Sequence, residues 1–578
     1  ALEAKREGDG WQVSYGRPIE AFRALGRILA GGEERELREE CLFEMLSLQL
    51  EGSRNGVITP GNVKAFIRRV ALMGINTLML YLEDTYEVPG EPFFGYLRGR
   101  YSQAELKEFD DYAHSFGIEM VPCIQALAHM KQALQWKNAF AEVTDTDDVM
   151  LAREEKTYEL LGRMIDAAAA PFRSRRIHLG MDEAFGLGTG QYRKRFGEKP
   201  TFEIMNEHLD RVCAMCAERD LQPMIWSDMY FRIASETHGY YDLDATIPQE
   251  VIDRIPASVD LVYWDYYHTE QEFYETYIDR HRALKKEPIM APGCWNWNHF
   301  WTNIPYSLAR VVPCIEACKV KKLRQVFMTT WGDDGMECDI YSVLPVIQVL
   351  ADMAYGGAYD RARSAKNFRA TCLADFEAYS LASELDQAGP GKTQEIDYSN
   401  TSKWLMWDDP LIGLCEVFQE GDSYRAAYEE LARKLEEAAR EDLPGSGRLT
   451  FPAQIARVLA LKCDVRKNLV KAYKGGDKEQ LRQLLEEEVK PLIAELEALW
   501  KTHRAMWLST YKPFGLEVIE IRYGGQIMRA RSLADRLQDY IDGRVENIPE
   551  FETELLKWAK DQGGVGHYRR IATPSAIF

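Results

Sequence analysis

Long apolar runs are missing from this chain of 578 residues. None reaches the roughly 18 residues needed to cross a bilayer. The opening ALEAKREGDGWQV is charged and lacks the apolar centre of a secretory signal. Positive charge is scarce: 71 Lys and Arg stand against 91 Asp and Glu, a formal net charge of -20. That balance argues against a nucleic-acid partner and against an anionic membrane surface. No disulfide framework is apparent either. The 11 cysteines are odd in number and scattered through apolar segments, which predicts reduced core residues and a cytoplasmic setting. Cys213 with Cys216, and Cys314 with Cys318, lie in helix-like stretches without a nearby histidine, so packing is expected there rather than zinc.

What is present is a rhythm. Apolar strand candidates occur at 42–50, 76–82, 118–125, 176–181, 222–227, 260–267, 287–292 and 325–331. Helical patterns lie between them at 61–74, 103–117, 153–169, 201–219, 269–286 and 307–323, with a shorter piece at 247–255 and a closing one at 339–355. Runs that are apolar throughout suit strands covered on both faces. Eight such units predict a (β/α)8 TIM barrel over 41–355. A doubly wound open sheet is the alternative, but it does not usually need so many units. Before the barrel, residues 1–40 hold a strand pair around Trp11–Ser14 and an amphipathic helix over 18–30, too little for a domain. After it, 356–578 reads as an all-α domain, with helical periodicity at 413–440, 453–475, 477–504, 525–541 and 549–561. Stretches 389–401 and 442–450 are linker-like.

In a barrel, function gathers where the strands end. The ends carry Arg54; Glu83 and Asp84; His129; Asp182 and Glu183; Trp226 and Asp228; Trp264, Asp265, Tyr266 and Tyr267; Trp295, Asn296 and Trp297; and Trp331, Asp333 and Asp334. A lone Trp at a strand end is usually packing, and a lone Asp usually caps a helix. So many tryptophans beside carboxylates and one Arg suit a sugar, whose CH faces stack and whose hydroxyls need partners. The glycine loop GLGTG (186–190) follows the acids instead of preceding a GK[ST], so it does not read as a phosphate cradle.

The densest stretch is RRIHLGMDEAFGLGTG, residues 175–190, in which His178, Gly180, Asp182 and Glu183 form HxGxDE. This pattern resembles the signature of family 20 glycoside hydrolases, the β-N-acetylhexosaminidases, with Met181 where that family usually has Gly. The resemblance extends to the other strand ends. It implies that Arg54 holds sugar hydroxyls, that Asp84 and His129 position the general acid, and that Trp226, Trp264 and Trp331 cage an acetamido group. Tyr266 or Tyr267 is then the donor to the acetamido carbonyl, Trp297 lines the pocket, and Asp333 in Trp331-Gly332-Asp333 stands where the family has W-G-E. Residues 1–40 resemble the last strand and helix of the small α/β domain that often precedes the family's barrel.

The implied chemistry is retaining and substrate-assisted. Asp182 and Glu183 are sequence neighbours, poorly placed to grip opposite faces of one ring. The acetamido oxygen attacks C1, Glu183 is the acid and base, and Asp182 orients the acetamido group. No cofactor and no metal are required. The expected partner is a glycan with a terminal β-linked N-acetylhexosamine. Two competing readings are a metal-dependent TIM-barrel hydrolase and a catalytically silent sugar-binding barrel.

Overall fold

The computed structural model describes residues 1–31, 35–386, 400–418 and 424–556. Of the linker-like stretch 389–401, all but Asn400 and Thr401 lies outside these residues, as do 419–423 and 557–561 of the expected helices. The chain forms two units. One comprises 1–295, 307–331 and 346–371; the other comprises 296–306, 332–345 and 372–578.

The first unit opens with β1 (Leu2–Glu7), β2 (Gly10–Ser14), the helix Pro18–Ala30 and β3 (Glu36–Glu39), an antiparallel sheet in the order β2-β1-β3. The sequence suggests only a strand pair here, because ELRE is too short and polar to signal a third strand. Pairing along β1 fixes β3, and so does Glu39, which accepts from the buried Arg23 guanidinium at 2.8 Å. Arg23 also reaches Asp352 at 2.9 Å, tying the terminal sheet to the end of the barrel.

Eight parallel strands then close into the barrel: β4 (Met45–Glu51), β5 (Thr77–Leu82), β6 (Glu119–Ile124), β7 (Arg176–His178), β8 (Gln222–Trp226), β9 (Asp260–Trp264), β10 (Ile289–Ala291) and β11 (Gln325–Met328). β11 pairs back onto β4, so the (β/α)8 expectation holds and each strand overlaps the run that predicted it. Local chemistry sets the helix boundaries. Ser102 Oγ accepts the Glu105 N–H at 3.1 Å while the Glu105 carboxylate accepts the Ser102 N–H at 2.8 Å, starting the helix Gln103–His114. Pro60 opens the helix Pro60–Met73, and Gly74 closes it at φ 87°. The helix Arg361–Cys372, with few apolar residues to mark a face, was not expected.

The second unit is helical among its described residues, with long helices Arg425–Ala439, Thr450–Lys474, Lys490–Thr510 and Leu516–Ile541. Thr401–Trp407 is a further helix, too short to show periodicity in the sequence. The stretch 442–450 is a tight turn rather than a loose linker. Gly445 N–H donates to the Leu373 carbonyl at 2.9 Å, and Arg448 pairs with Asp339 at 2.7 Å. Deep in this unit four charges meet. Arg522 lies 2.6 Å from both Asp334 and Glu337, Lys403 lies 2.9 Å from Asp334 and also contacts Glu337, and all four side chains are buried. No disulfide joins any of the 11 cysteines, and those at 213, 216, 314 and 318 are buried in helices. Among the described residues, no helix is long and apolar enough to cross a membrane.

Candidate active site

After β7 the backbone takes a path that side-chain-bearing residues enter reluctantly: φ is 65° at Gly180, 70° at Met181 and 48° at Glu183. Side chains from both flanking strands hold it there. Gln125, one residue past β6, fills the space where a Cβ on residue 180 would stand, so glycine is required. Its carboxamide accepts the Met181 N–H at 3.1 Å and donates to Asp182 Oδ1 at 2.9 Å and to the Tyr81 hydroxyl at 3.0 Å. Asp228, two residues past β8, accepts the Glu183 N–H on Oδ2 at 3.1 Å. His178 is part of the scaffold. Its Nδ1 accepts the Gly180 N–H at 3.0 Å, its ring lies 4.5 Å from that of Trp226, and burial pushes its pKa down to about 3.

The turn presents acids with divergent proton affinities. Burial acts to raise the Asp182 pKa, but His129 and Gln125 outweigh it and hold the carboxyl at about 2. His129 Nε2 lies 3.1 Å from Asp182 Oδ2 and 3.6 Å from Glu183 Oε2, while Nδ1 faces Arg54 Nη2 at 3.5 Å. A proton on Nε2 satisfies the Asp182 contact. Burial opposes a charge on this imidazole, yet the Asp182 carboxylate raises its pKa. Glu183 moves the other way from Asp182, upward, through burial and then through the Asp182 charge. Its Oε1 accepts the Tyr240 hydroxyl at 2.9 Å, and 33% of the side chain is exposed. Asp228 is pushed up to about 8, first by burial and then by Asp182. At neutral pH the turn therefore holds one firmly ionised carboxylate beside a partly exposed acid that retains its proton more readily.

Around this pair stand a cation and an aromatic wall. Glu51 builds the turn that carries Arg54, its Oε1 accepting the N–H groups of Ser53 at 2.7 Å and Arg54 at 3.1 Å. Arg54 Nε donates to Glu83 at 3.0 Å, and its guanidinium lies 5.0 Å from the Trp331 ring centroid. Trp331 donates from Nε1 to the Tyr266 hydroxyl at 3.2 Å and lies 5.9 Å from Trp226. Trp264 stacks on Tyr266 at 5.2 Å and meets Tyr240 at 5.1 Å.

Thus Arg54, His129, Asp182, Glu183, Trp226, Trp264, Tyr266 and Trp331 are linked by direct contacts or through Tyr240 and Tyr81. Asp84 is turned away. Its Oδ1 faces Arg98 at 3.4 Å, and its neighbour Glu83 takes the place beside Arg54. Tyr267 is 43% exposed and sits edge-on to Trp295 at 5.7 Å. Trp297 and Asp333 belong to the second unit, where the Trp297 carbonyl lies 2.9 Å from His299 Nδ1 and Asp333 is partly exposed. Tyr240 carries no signal that strand ends alone would give, and Gln125 carries only a faint one. Gln125 is the polar residue closing an otherwise apolar strand run, and Tyr240 lies in the irregular interval before β9. Among the described residues no group of His, Cys, Asp and Glu gathers as metal ligands do.

Residues 48–239 match the model of the glycosyl hydrolase family 20 catalytic domain, and 377–569 match that of the glycoside hydrolase 20C C-terminal domain. Human hexosaminidase D is 25% identical over 203 residues, covering 34% of this chain and 39% of that protein. A probable beta-hexosaminidase of Arthroderma benhamiae is 22% identical over 287 residues, covering 42% and 44%. This chain thus matches less than half the length of either relative. The crystal structure of the Flavobacterium johnsoniae chitobiase superposes with a TM-score of 0.50 at 14% identity, covering 84% of this chain and 82% of that one, which supports the fold.

Proposed function

Because the chain belongs to glycoside hydrolase family 20, we propose that it is a retaining exo-β-N-acetylhexosaminidase that removes terminal β-linked N-acetylglucosamine or N-acetylgalactosamine. The observation that carries this reading is the split between adjacent acids. Asp182 is held ionised by His129 and Gln125, while Glu183 is raised and partly exposed. Glu183 protonates the departing oxygen as the sugar's own acetamido oxygen closes on C1, giving an oxazolinium ion. Asp182 accepts the acetamido N–H and stabilises the positive charge. Water, deprotonated by the same Glu183, then opens the ring with net retention. Arg54, Trp264, Tyr266 and Trp331 bound the sugar, while Trp226, expected to share in the cage, is wholly buried behind Trp331; Tyr266 is favoured over exposed Tyr267 as the donor to the acetamido carbonyl. Tyr240 and Asp228 keep Glu183 in place. Cysteines held in the core without a disulfide, such as Cys213, Cys216, Cys314 and Cys318, support a reducing compartment, the cytoplasm, as the place of work.

The test is a panel of aryl β-glycosides with and without a 2-acetamido group, plus a thiazoline mimic of the cyclised intermediate. Turnover confined to acetamido sugars with strong thiazoline inhibition is the expected result. Asp182→Asn should lower kcat by about 10²–10³-fold, the scale of one pre-organised electrostatic contact. A fluorinated sugar trapped covalently on any carboxylate overturns the mechanism and leaves the glycosidase assignment standing. Comparable turnover of glucosides overturns the acetamido specificity.

A further inference from the structure

A general acid defines where the leaving group must be: its proton goes to the glycosidic oxygen, so the departing sugar lies on the open side of Glu183. The surface there has a particular make-up. Two residues beyond Glu183, in a turn where the Phe185 N–H donates to the Glu183 carbonyl at 2.5 Å, Phe185 leaves 47% of its surface exposed. The guanidinium of Arg232 lies 4.1 Å from the Phe185 ring centroid and 5.5 Å from that of Tyr240, whose hydroxyl holds Glu183. A continuous path therefore runs from Glu183 through Tyr240 and Arg232 to Phe185. Single exposed aromatics are ordinary on protein surfaces; one beside a general acid and under an arginine is a flat seat of about a sugar's size.

Arg232 also differs from its peers. Its Nε donates to the His238 carbonyl at 3.2 Å, but its terminal nitrogens make no hydrogen bond and it has no carboxylate partner among the described residues. Elsewhere near the same rim Arg54 is paired with Glu83 and Arg98 with Asp84. In a chain of net charge -20, an arginine left without an acid is not for want of acids. Lying against aromatic rings, a guanidinium keeps its N–H edge free for bidentate binding of an anion.

We propose that Phe185, Arg232 and Tyr240 form a leaving-group subsite for a pyranose that bears a negative charge, the ring on Phe185 and the carboxylate or sulfate on Arg232. The assignment rests on the hexosaminidase reading above. Its test uses three disaccharides that share the acetamido sugar turned over fastest in the panel, with glucose, glucuronate or glucose 6-sulfate as the leaving sugar. In the unaltered enzyme kcat/KM should favour at least one charged leaving sugar over glucose by roughly 10-fold, the scale of one charged hydrogen bond, and added salt should shrink the preference. Arg232→Gln should bring that ratio close to one. Phe185→Ala should lower kcat/KM for all three by about 2- to 10-fold, with the Ki of the free acetamido sugar unchanged. Because the reading is a ratio within each variant, partial loss of folding does not imitate it. Equal rates on all three sugars, or a charge preference that survives Arg232→Gln, overturns the subsite. Failure on all three disaccharides despite turnover of the aryl acetamido glycoside also overturns the subsite, whereas failure on every acetamido glycoside of the panel overturns the hexosaminidase reading beneath it.

Discussion

Carboxylates crowd together both in the second unit and after β7, and what surrounds them decides what they become. In the second unit Asp334 and Glu337 face Lys403 and Arg522, two acids against two cations, and the resulting lattice is closed. Those cations hold the Asp334 carboxyl below its ordinary range despite burial. After β7, Asp182, Glu183 and Asp228 share the shelter of His129 and the more distant Arg54, and proton affinity spreads: Asp182 falls while Glu183 and Asp228 rise. Matched charge gives a fastening. Unmatched charge leaves an acid that can both give and take a proton, which is what catalysis needs.

The comparison breaks most sharply at Glu183. Glu183→Gln keeps the shape and removes the proton, so kcat on substrates with poor leaving groups should fall by about 10²–10⁴-fold, with a much smaller loss on activated aryl glycosides. Equal losses on both would show that Glu183 is not the acid. On the other side of the comparison, Lys403→Met removes one cation from the closed lattice and strands negative charge in the interior. Denaturant unfolding of the full chain should show a loss of about 3–5 kcal/mol. An unchanged midpoint would mean that Arg522 alone suffices.

Asp228 sharpens the contrast through pH. Its folded pKa, about 8, lies above the ordinary carboxylate value, so between the two the native state keeps a proton that the unfolded chain has lost. Its contribution therefore favours folding less and less as pH rises from about 4 to 8. Asp228→Asn should remove this dependence, giving a Tm that falls less steeply than the parent's between pH 5 and 8. Asn also keeps an oxygen for the Glu183 N–H, which Ala lacks. Asp228→Ala should accordingly lose about 10-fold more kcat than Asp228→Asn, the scale of one hydrogen bond to a positioned group. The smallest effect belongs to Tyr240→Phe. Its hydroxyl lowers the Glu183 pKa against the upward push of burial, so removing it should move the alkaline limb of kcat/KM to higher pH and cost about 2- to 10-fold in rate.

How far the sequence led is clearest on β5. Its apolar run marked the strand, and the strand end marked two acids, but alternation separates them. Tyr81 and Glu83 share the inner face, where the Tyr81 hydroxyl donates to Glu83 at 3.0 Å, and Asp84 falls on the other face with Arg98. Counting from Tyr81 could have made that distinction. The contacts of Gln125 with Asp182 and of Asp228 with Glu183 were out of reach, because they depend on which strands become neighbours across a closed sheet. Tyr240 lay further still, in a segment without periodicity, kept in place by Tyr241 on the Trp264 carbonyl at 2.8 Å and Arg280 on the Leu243 carbonyl at 2.5 Å. The barrel was legible because its strands are buried on both faces; the site was legible where a residue type itself is diagnostic.

The left-handed turn after β7 also fixes when this molecule becomes competent during folding. Residues 178–183 do not hold that path by themselves: its stays are Gln125 and Asp228, distant by 57 and 45 positions from the acids they bind. Contacts of such sequence separation form late, after the cost of closing the intervening loops has been met. A nascent chain that has made β7 but not yet docked β6 and β8 against it has the signature sequence and no working acid pair. Regain of activity on refolding should thus time the zipping of these three strands and lag behind helical content, which rests on local contacts.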